Sequence, residues 1–458
     1  MPYVERRGNS IRVKWWNGRH KLDDSGRPTK TKLYDSASGS EDGVPFQDEE
    51  EAYTYGLDRE YEVRHGKSIP RADAQTLMET YCWLWLKTST LRHNSRATYR
   101  WMLKAVIVPY WGQRPVGAIT ALEYDLWKAQ LEAKYSDNYV DQLRGLFRML
   151  MEDAVLKYKL RTDSPIVEQG RRGKYTKKKT RREKSELPIH AVHQLAVNAY
   201  HVWGFTGWTY IWTIAFTGMR PPGEMYGLQR GYASPYWPAS DPVRSRRSQA
   251  AKRYGPQLPA LRVQHQLYAV DKQPTLAGPK YESYRSLVLP TFLHEMHVAL
   301  LASHDQPLVF LSHTGKPLLN TQFARDYWHP IRDGAPERKP RKGYERFVRP
   351  ELPAVEEMAG QDLYRLRHWH RELLDQPGAG IPRVAKEARM GHELPGVEGV
   401  YTNVTVAMEE RIVEYLQEVW EKFIGTGPWL PPFPISLPSG PSKEASSLFS
   451  GYPVIDEP

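Results

Sequence analysis

A block of like charge between residues 168 and 186 constrains this chain more than any other feature. The run EQGRRGKYTKKKTRREKSE holds Arg171, Arg172, Lys174, Lys177, Lys178, Lys179, Arg181, Arg182 and Lys184. Such a block repels itself, stays extended and reads as a linker. The chain therefore divides there into a part before residue 168 and a part after residue 186. Against a polyanion the block lies along phosphates and releases counterions. Without one it is a solvated tether, and both readings stay open. The whole chain carries a net charge of +11, which favours nucleic acid or an acidic membrane surface as partner. With 40% hydrophobic and 12% aromatic residues, it can build packed cores and is not disordered overall.

Further readings bound the class. The length of 458 residues suits roughly three domains. No apolar run reaches the roughly 18 residues that a membrane span needs, so no membrane partner is expected. The opening MPYVERRGNSIRVKWW lacks the pattern of a signal peptide. Cys82 is the single cysteine, which suits a reducing cytoplasm and excludes a cysteine zinc site. It sits in the apolar run TYCWLWL and reads as a core residue.

The expected architecture is multidomain, mainly α with small β-sheets. Residues 1–66 read as a small α+β module: short strands, then a helix with an acidic first turn. Its strands carry Arg12, Lys14 and Lys21 among tryptophans, either a nucleic-acid surface or a solvated face. Residues 72–167 carry four amphipathic stretches and predict a helical bundle, with Ser136 or Asp137 capping the last helix. Arg92, Arg96 and Arg100 are its candidate DNA contacts. In the basic linker, 168–186, the candidates are Lys177, Lys178, Lys179, Arg181 and Arg182. Residues 187–425 predict a mixed α/β domain that is mostly helical. There LPIHAVHQLAVNAY and TGWTYIWTIAFTG read as helices, and LRVQHQLYAV and YRSLVLP as strands joined by a GPK turn. In VTVAMEERIVEYLQEVWEKFI, Ile412, Val413, Leu416, Val419, Trp420 and Phe423 share one apolar stripe. Residues 426–458 are rich in Pro, Ser and Gly and predict a flexible or loosely docked tail.

Four segments in the last domain combine residue types that suit phosphate chemistry. FTGMRPPGEMYGL places Arg220 where one helix ends and another begins. TLAGPKYESYRSLVLP places Lys280 at a hairpin tip. DLYRLRHWHRELL is a helix carrying Arg367, and RMGHELPGVEGVYTNVT carries His392 and Tyr401. Two arginines can fork onto the non-bridging oxygens of a phosphodiester and neutralise charge in its transition state. A tyrosine can attack phosphorus if nearby cations help it ionise, and a lysine can protonate the leaving hydroxyl. His392 would donate to a phosphate oxygen or assist proton movement. His368 and His370 stand two apart on a helix, point to different faces, and do not form a metal pair.

The ordered set TGMRPxGE, turn lysine, LRH, GH and tyrosine resembles the catalytic domain of tyrosine recombinases, the phage-type integrases. His392 precedes Tyr401 by nine residues and Arg367 precedes it by 34, both similar to the family's spacing. The resemblance covers about residues 187–425. Residues 72–167 look like the family's core-site-binding domain, and 1–66 like the arm-site-binding domain that some integrases carry. It implies site-specific recombination, integration or excision of a mobile element, through a 3′-phosphotyrosyl intermediate with Tyr401 as nucleophile. It implies double-stranded DNA attachment sites, a homotetramer on DNA, and excisionase-type and DNA-bending accessory proteins. It implies no metal and no other cofactor, since arginines replace the metal, and a bacterial cytoplasmic, nucleoid-associated setting. A segment such as 404–424, directly after the nucleophile, often packs on the neighbouring protomer in this family.

The chain departs from the family pattern in three places. Tyr364 stands where the family usually has histidine, and His368 is a neighbour that could be recruited. The first motif reads RPPGE, which displaces Glu224 by one residue; Glu224 is expected to orient an arginine or cap a helix. An insertion around residues 231–258, rich in arginine, separates Arg220 from Lys280 and either touches DNA or stays solvated. Tyr364 and the RPPGE segment keep open a DNA-binding protein on the recombinase fold without catalysis, and the shared Arg–Lys–Arg–His–Tyr chemistry keeps open a type IB topoisomerase-like enzyme.

Overall fold

A computed structural model describes residues 1–40, 43–65, 69–166, 186–233, 237–238, 244–254, 257–270, 273–340, 342, 348–392, 404–425 and 454–455. The chain forms two compact units, Met1–Lys178 and Lys179–Pro458. Lys177, Lys178, Lys179, Arg181, Arg182 and Tyr401 lie outside the described residues.

The first unit opens with an antiparallel sheet of Tyr3–Arg7, Ser10–Leu22 and Pro28–Ala37, the middle strand lying between the other two. A strand alternates its faces, so Ile11, Val13 and Trp15 point inward and are buried, while Arg12 is exposed and Lys14 half-buried. The helix Glu49–Arg64 covers the inner face. Its N-cap Asp48 accepts from the Glu51 N–H, and three glutamates fill its first turn, where the helix dipole favours negative charge.

Helices follow, as the periodicity predicts. The first predicted helix is split into Arg71–Ala74 and Met78–Thr88. The second runs as His93–Met102, a turn of π-helix at Leu103–Ile107, and Val108–Trp111. Ala121–Lys134 starts with a reciprocal capping box between Thr120 and Glu123. Ser136 is the N-cap of Asp137–Leu156 by position, without a side-chain capping bond. Cys82, Trp111, Trp127, Leu143 and Phe147 lie together in the bundle core.

The second unit is built around Ile189–Thr217, an apolar helix buried throughout from Gly207 to Thr217. Gly204, at φ 67°, interrupts it and makes it the two helices expected from the sequence. Around it sit short strand pairs and further helices. Ala260–Val263 pairs antiparallel with Arg285–Val288, and Gln266–Val270 pairs antiparallel with Gln273–Ala277. The predicted strand LRVQHQLYAV is thus two strands. The predicted GPK hairpin is also corrected: Lys280 follows the second hairpin strand, in a 3-10 turn at Lys280–Glu282. In the tail, Val454–Ile455 pairs in parallel with Leu276–Ala277.

The helix Val406–Ile424 presents the predicted stripe, with Ile412, Leu416 and Trp420 buried. Trp420 stacks on Phe292 at 4.1 Å and meets Trp212 edge-on. The stripe therefore packs on this chain's own core. The architecture is mixed α/β, with small antiparallel sheets and a large helical core, as expected. Among the described residues no helix is long and apolar enough to cross a membrane.

Leu143 is fully buried at the bundle core. Leu143→Ala should cost the bundle about 2–5 kcal/mol through transfer and cavity terms, read as an earlier urea transition. An unchanged transition contradicts this packing.

Candidate active site

The fold brings Arg220, Arg367 and His392 together. Helix Ile189–Thr217 ends at Gly218, in the left-handed region at φ 66°. A Cβ there would stand 2.6 Å from the His370 ring, so only glycine fits. This tight exit delivers Arg220 and frees the Gly218 carbonyl to accept from Arg367.

Arg220 is held from several sides. Its backbone N–H donates to Glu224 Oε2 at 2.7 Å, and its Nη1 to Oε1 at 2.9 Å. Nη1 also donates to Ser283 Oγ at 2.6 Å, and Nη2 to the Gly391 carbonyl at 2.7 Å. Glu224 is 2% exposed. Arg285, from the strand Arg285–Val288, donates to both its oxygens at 3.2 and 2.8 Å. Burial alone would favour the protonated acid, but Arg285 and Arg220 more than offset it and hold the carboxyl at about 2. Glu224 thus holds two arginines.

Arg367 comes from helix Tyr364–Leu374 and is 1% exposed. Its Nη2 donates to the Met390 carbonyl and lies 3.1 Å from His392 Nε2. Consecutive carbonyls, of Met390 and Gly391, therefore hold the two guanidinium groups. Burial, then repulsion from Arg285 and Arg220, lowers Arg367 to about 10. A guanidinium has five N–H donors. Among the described residues, the side-chain bonds of Arg220 and Arg367 use three of them on each.

His392 follows Gly391, which caps helix Arg383–Met390 in the left-handed conformation. A guanidinium can only donate, so His392 Nε2 accepts and Nδ1 carries the proton toward Glu387 Oε2, 2.9 Å away. Glu387 is itself paired with Arg371 at 2.9 Å. Burial and the neighbouring arginines push His392 below its usual 6.5, against the upward pull of Glu387. The folded site resists protonation more than the unfolded chain does. Its share of stability is complete above pH 6.5 and is lost as pH falls toward the lowered value.

Other expected residues take varied places. Lys280 is exposed, its Nζ 4.9 Å from the Tyr281 ring, and its carbonyl accepts from Ser283 Oγ at 2.9 Å. Ser283 thereby ties the Lys280 turn to Arg220. The Tyr364 ring meets Arg367 at 5.8 Å and His368 edge-on at 5.2 Å. His368 is exposed, and His370 is buried with Nδ1 on the Ala215 carbonyl and Nε2 accepting from Arg389. Among the described residues no three His, Cys, Asp or Glu side chains cluster to hold a metal. Lys14 is paired with Glu5 at 2.7 Å. Arg96 donates to the carbonyls of Leu86 and Ser89 at a helix end, while Arg12, Lys21, Arg92 and Arg100 are exposed.

Sequence reasoning missed Arg285, Glu387, Ser283 and Arg389. Arg389 is buried and donates to the Phe216 and Val288 carbonyls, fastening the helix before His392 to the core. The alternation in YRSLVLP was a usable signal for Arg285: it shares a face with Leu287, which is fully buried.

No family model matches the chain, and no curated protein matches it. Among solved structures it is similar to the Tn1549 transposon integrase in complex with a circular intermediate DNA, at 14% identity over 73% of this chain and 98% of that one, TM-score 0.46. It is similar to a lambda integrase tetramer bound to a Holliday junction, at 12% identity over 88% and 94%, TM-score 0.46. It is similar to XerA recombinase at 11% identity over 75% and 96%, TM-score 0.26.

Two outcomes follow from the charges. Glu224→Gln removes the carboxylate between Arg220 and Arg285 and should cost about 3–5 kcal/mol, read by thermal or urea unfolding. A neutral effect contradicts the shared-carboxylate role. Glu387→Gln removes the pull that keeps His392 protonatable, so the His392 midpoint, followed by NMR, should fall further. A rise contradicts the assigned hydrogen bond.

Proposed function

We propose that this chain cleaves and rejoins DNA as a tyrosine recombinase, with Tyr401 attacking a phosphodiester to form a 3′-phosphotyrosyl link. One observation carries the reading: Arg220 and Arg367, far apart in sequence, are held on the adjacent carbonyls of Gly391 and Met390, beside His392. Glu224, a buried carboxylate, pairs with Arg220 and Arg285, and Arg367 lies close by on carbonyls, so among the described residues the cluster holds more guanidinium than carboxylate. An oxyanion supplies the missing counter-charge, and the uncommitted N–H groups of two guanidiniums suit a phosphate's non-bridging oxygens.

In this mechanism the phosphate binds against Arg220 and Arg367, and its charge favours protonation of His392, which turns Nε2 from an acceptor into a donor to a phosphate oxygen. Tyr401 attacks phosphorus, the bond to the 5′ oxygen breaks, and Lys280 gives that oxygen its proton. The freed 5′ hydroxyl of a partner duplex then attacks the phosphotyrosine and releases Tyr401. Four protomers on two attachment sites complete the exchange through a Holliday junction. Arm-site, core-site and catalytic roles follow for residues 1–66, 72–167 and 187–425, with the 168–186 block along phosphates. The reading places the protein with bacterial DNA in the cytoplasm, beside excisionase-type and DNA-bending accessory proteins.

The test uses a nicked suicide duplex from the DNA flanking the chain's own gene, with EDTA present. Wild type should form a covalent adduct on a denaturing gel, and Tyr401→Phe should form none. An adduct that persists in Tyr401→Phe contradicts the nucleophile. Binding without any adduct favours the DNA-binding protein that lacks catalysis, and relaxation of plasmid without sequence preference favours the topoisomerase.

A further inference from the structure

The insertion between Arg220 and Lys280 has its own small architecture. Trp237–Pro238 pairs antiparallel with Gln257–Leu258, forming a neck. Above it runs the helix Arg244–Tyr254, RSRRSQAAKRY, which holds arginines and a lysine but no carboxylate. Helical rotation divides it into two sides. Ala250 is fully buried in an apolar nest with Trp237, Ala260, Val288 and Val406. Arg244, Ser245, Ser248, Gln249 and Lys252 are exposed on the outer side. Those are hydrogen-bond donors of the types that proteins place on DNA phosphates. A cationic face of this kind becomes favourable against a polyanion.

The inner side connects to the site. Val406 is 2% exposed, begins the helix Val406–Ile424, and stands five residues after Tyr401. Arg253 Nε lies 3.0 Å from Glu410 Oε1 on the same helix. The nest also contains Val288, whose carbonyl accepts from Arg389, and its strand carries Arg285. One apolar nest therefore joins the basic helix, the strand of Arg285 and the helix that follows Tyr401.

We propose that the insertion is a DNA-phosphate clamp seated on Val406, so that gripping the duplex and fixing the start of helix Val406–Ile424 are one coupled event. This rests on the recombinase reading for its meaning, but its test does not need cleavage. The variant is Arg244→Gln/Lys252→Gln, exposed changes that keep helix propensity and should leave the melting temperature unchanged. The first readout is anisotropy of a fluorescein-labelled duplex, from the DNA flanking the gene, across a salt series. Each lost phosphate contact lowers the slope of log K against log salt by about 0.9, so the variant should lose about two. The second readout is hydrogen exchange of the peptide spanning 404–412 at saturating duplex. DNA should slow its exchange in wild type and do so several-fold less in the variant. An unchanged salt slope, or full protection of 404–412 in the variant, overturns the clamp. Absence of a covalent adduct in wild type counts against the recombinase reading and leaves both readouts decisive for the clamp.

Discussion

The buried carboxylate of Glu224 organises the site. A carboxylate at 2% exposure is tolerable only when its charge is met at close range. Arg220 and Arg285 meet it, one from the exit of the central helix and one from a strand. This fixes a helix end against a sheet edge by charge rather than by apolar packing. The Gly391 carbonyl then steadies Arg220, the Met390 carbonyl steadies Arg367, and His392 follows in the chain. Among the described residues the cluster holds more guanidinium than carboxylate, the charge balance on which the proposed phosphate binding rests.

Much of the fold was legible because its helices carry strong periodicity. The bundle, the acidic-capped Glu49–Arg64 helix and the stripe of Val406–Ile424 each follow from apolar spacing. Gly204 shows why two helical readings became one interrupted helix: positive φ breaks the ladder without a loop. The strands were harder. LRVQHQLYAV looked continuous because its break at Gln264–His265 has no Gly or Pro to mark it. Lys280 was assigned to a hairpin because GPK is a generic turn signal, whereas the hairpin turns earlier, between Val270 and Gln273.

At the site, Arg220, Arg367 and His392 were legible from motif order, and the structure brings them together. Arg285, Glu387 and Arg389 were not, because their partners are distant in sequence and an arginine on a strand or helix usually reads as a surface charge. Arg285 meets Glu224 across 61 residues, and Arg389 meets Val288 across 101. Only the folded chain shows that these charges are interior. Likewise the 231–258 insertion was undecidable from composition, since a solvated basic loop and a basic clamp have the same residues. The burial of Ala250 beside Val406 is what distinguishes an anchored element from a tether.

In the proposed reaction Arg220 neutralises charge on a scissile phosphate. Single-turnover adduct formation by Arg220→Ala tests it, using a duplex whose scissile phosphate is replaced by a neutral methylphosphonate. Arg220→Ala should be defective on the ordinary phosphodiester and regain adduct formation on the methylphosphonate. An Arg220→Ala protein that stays folded, binds the duplex and remains equally defective on both substrates contradicts it.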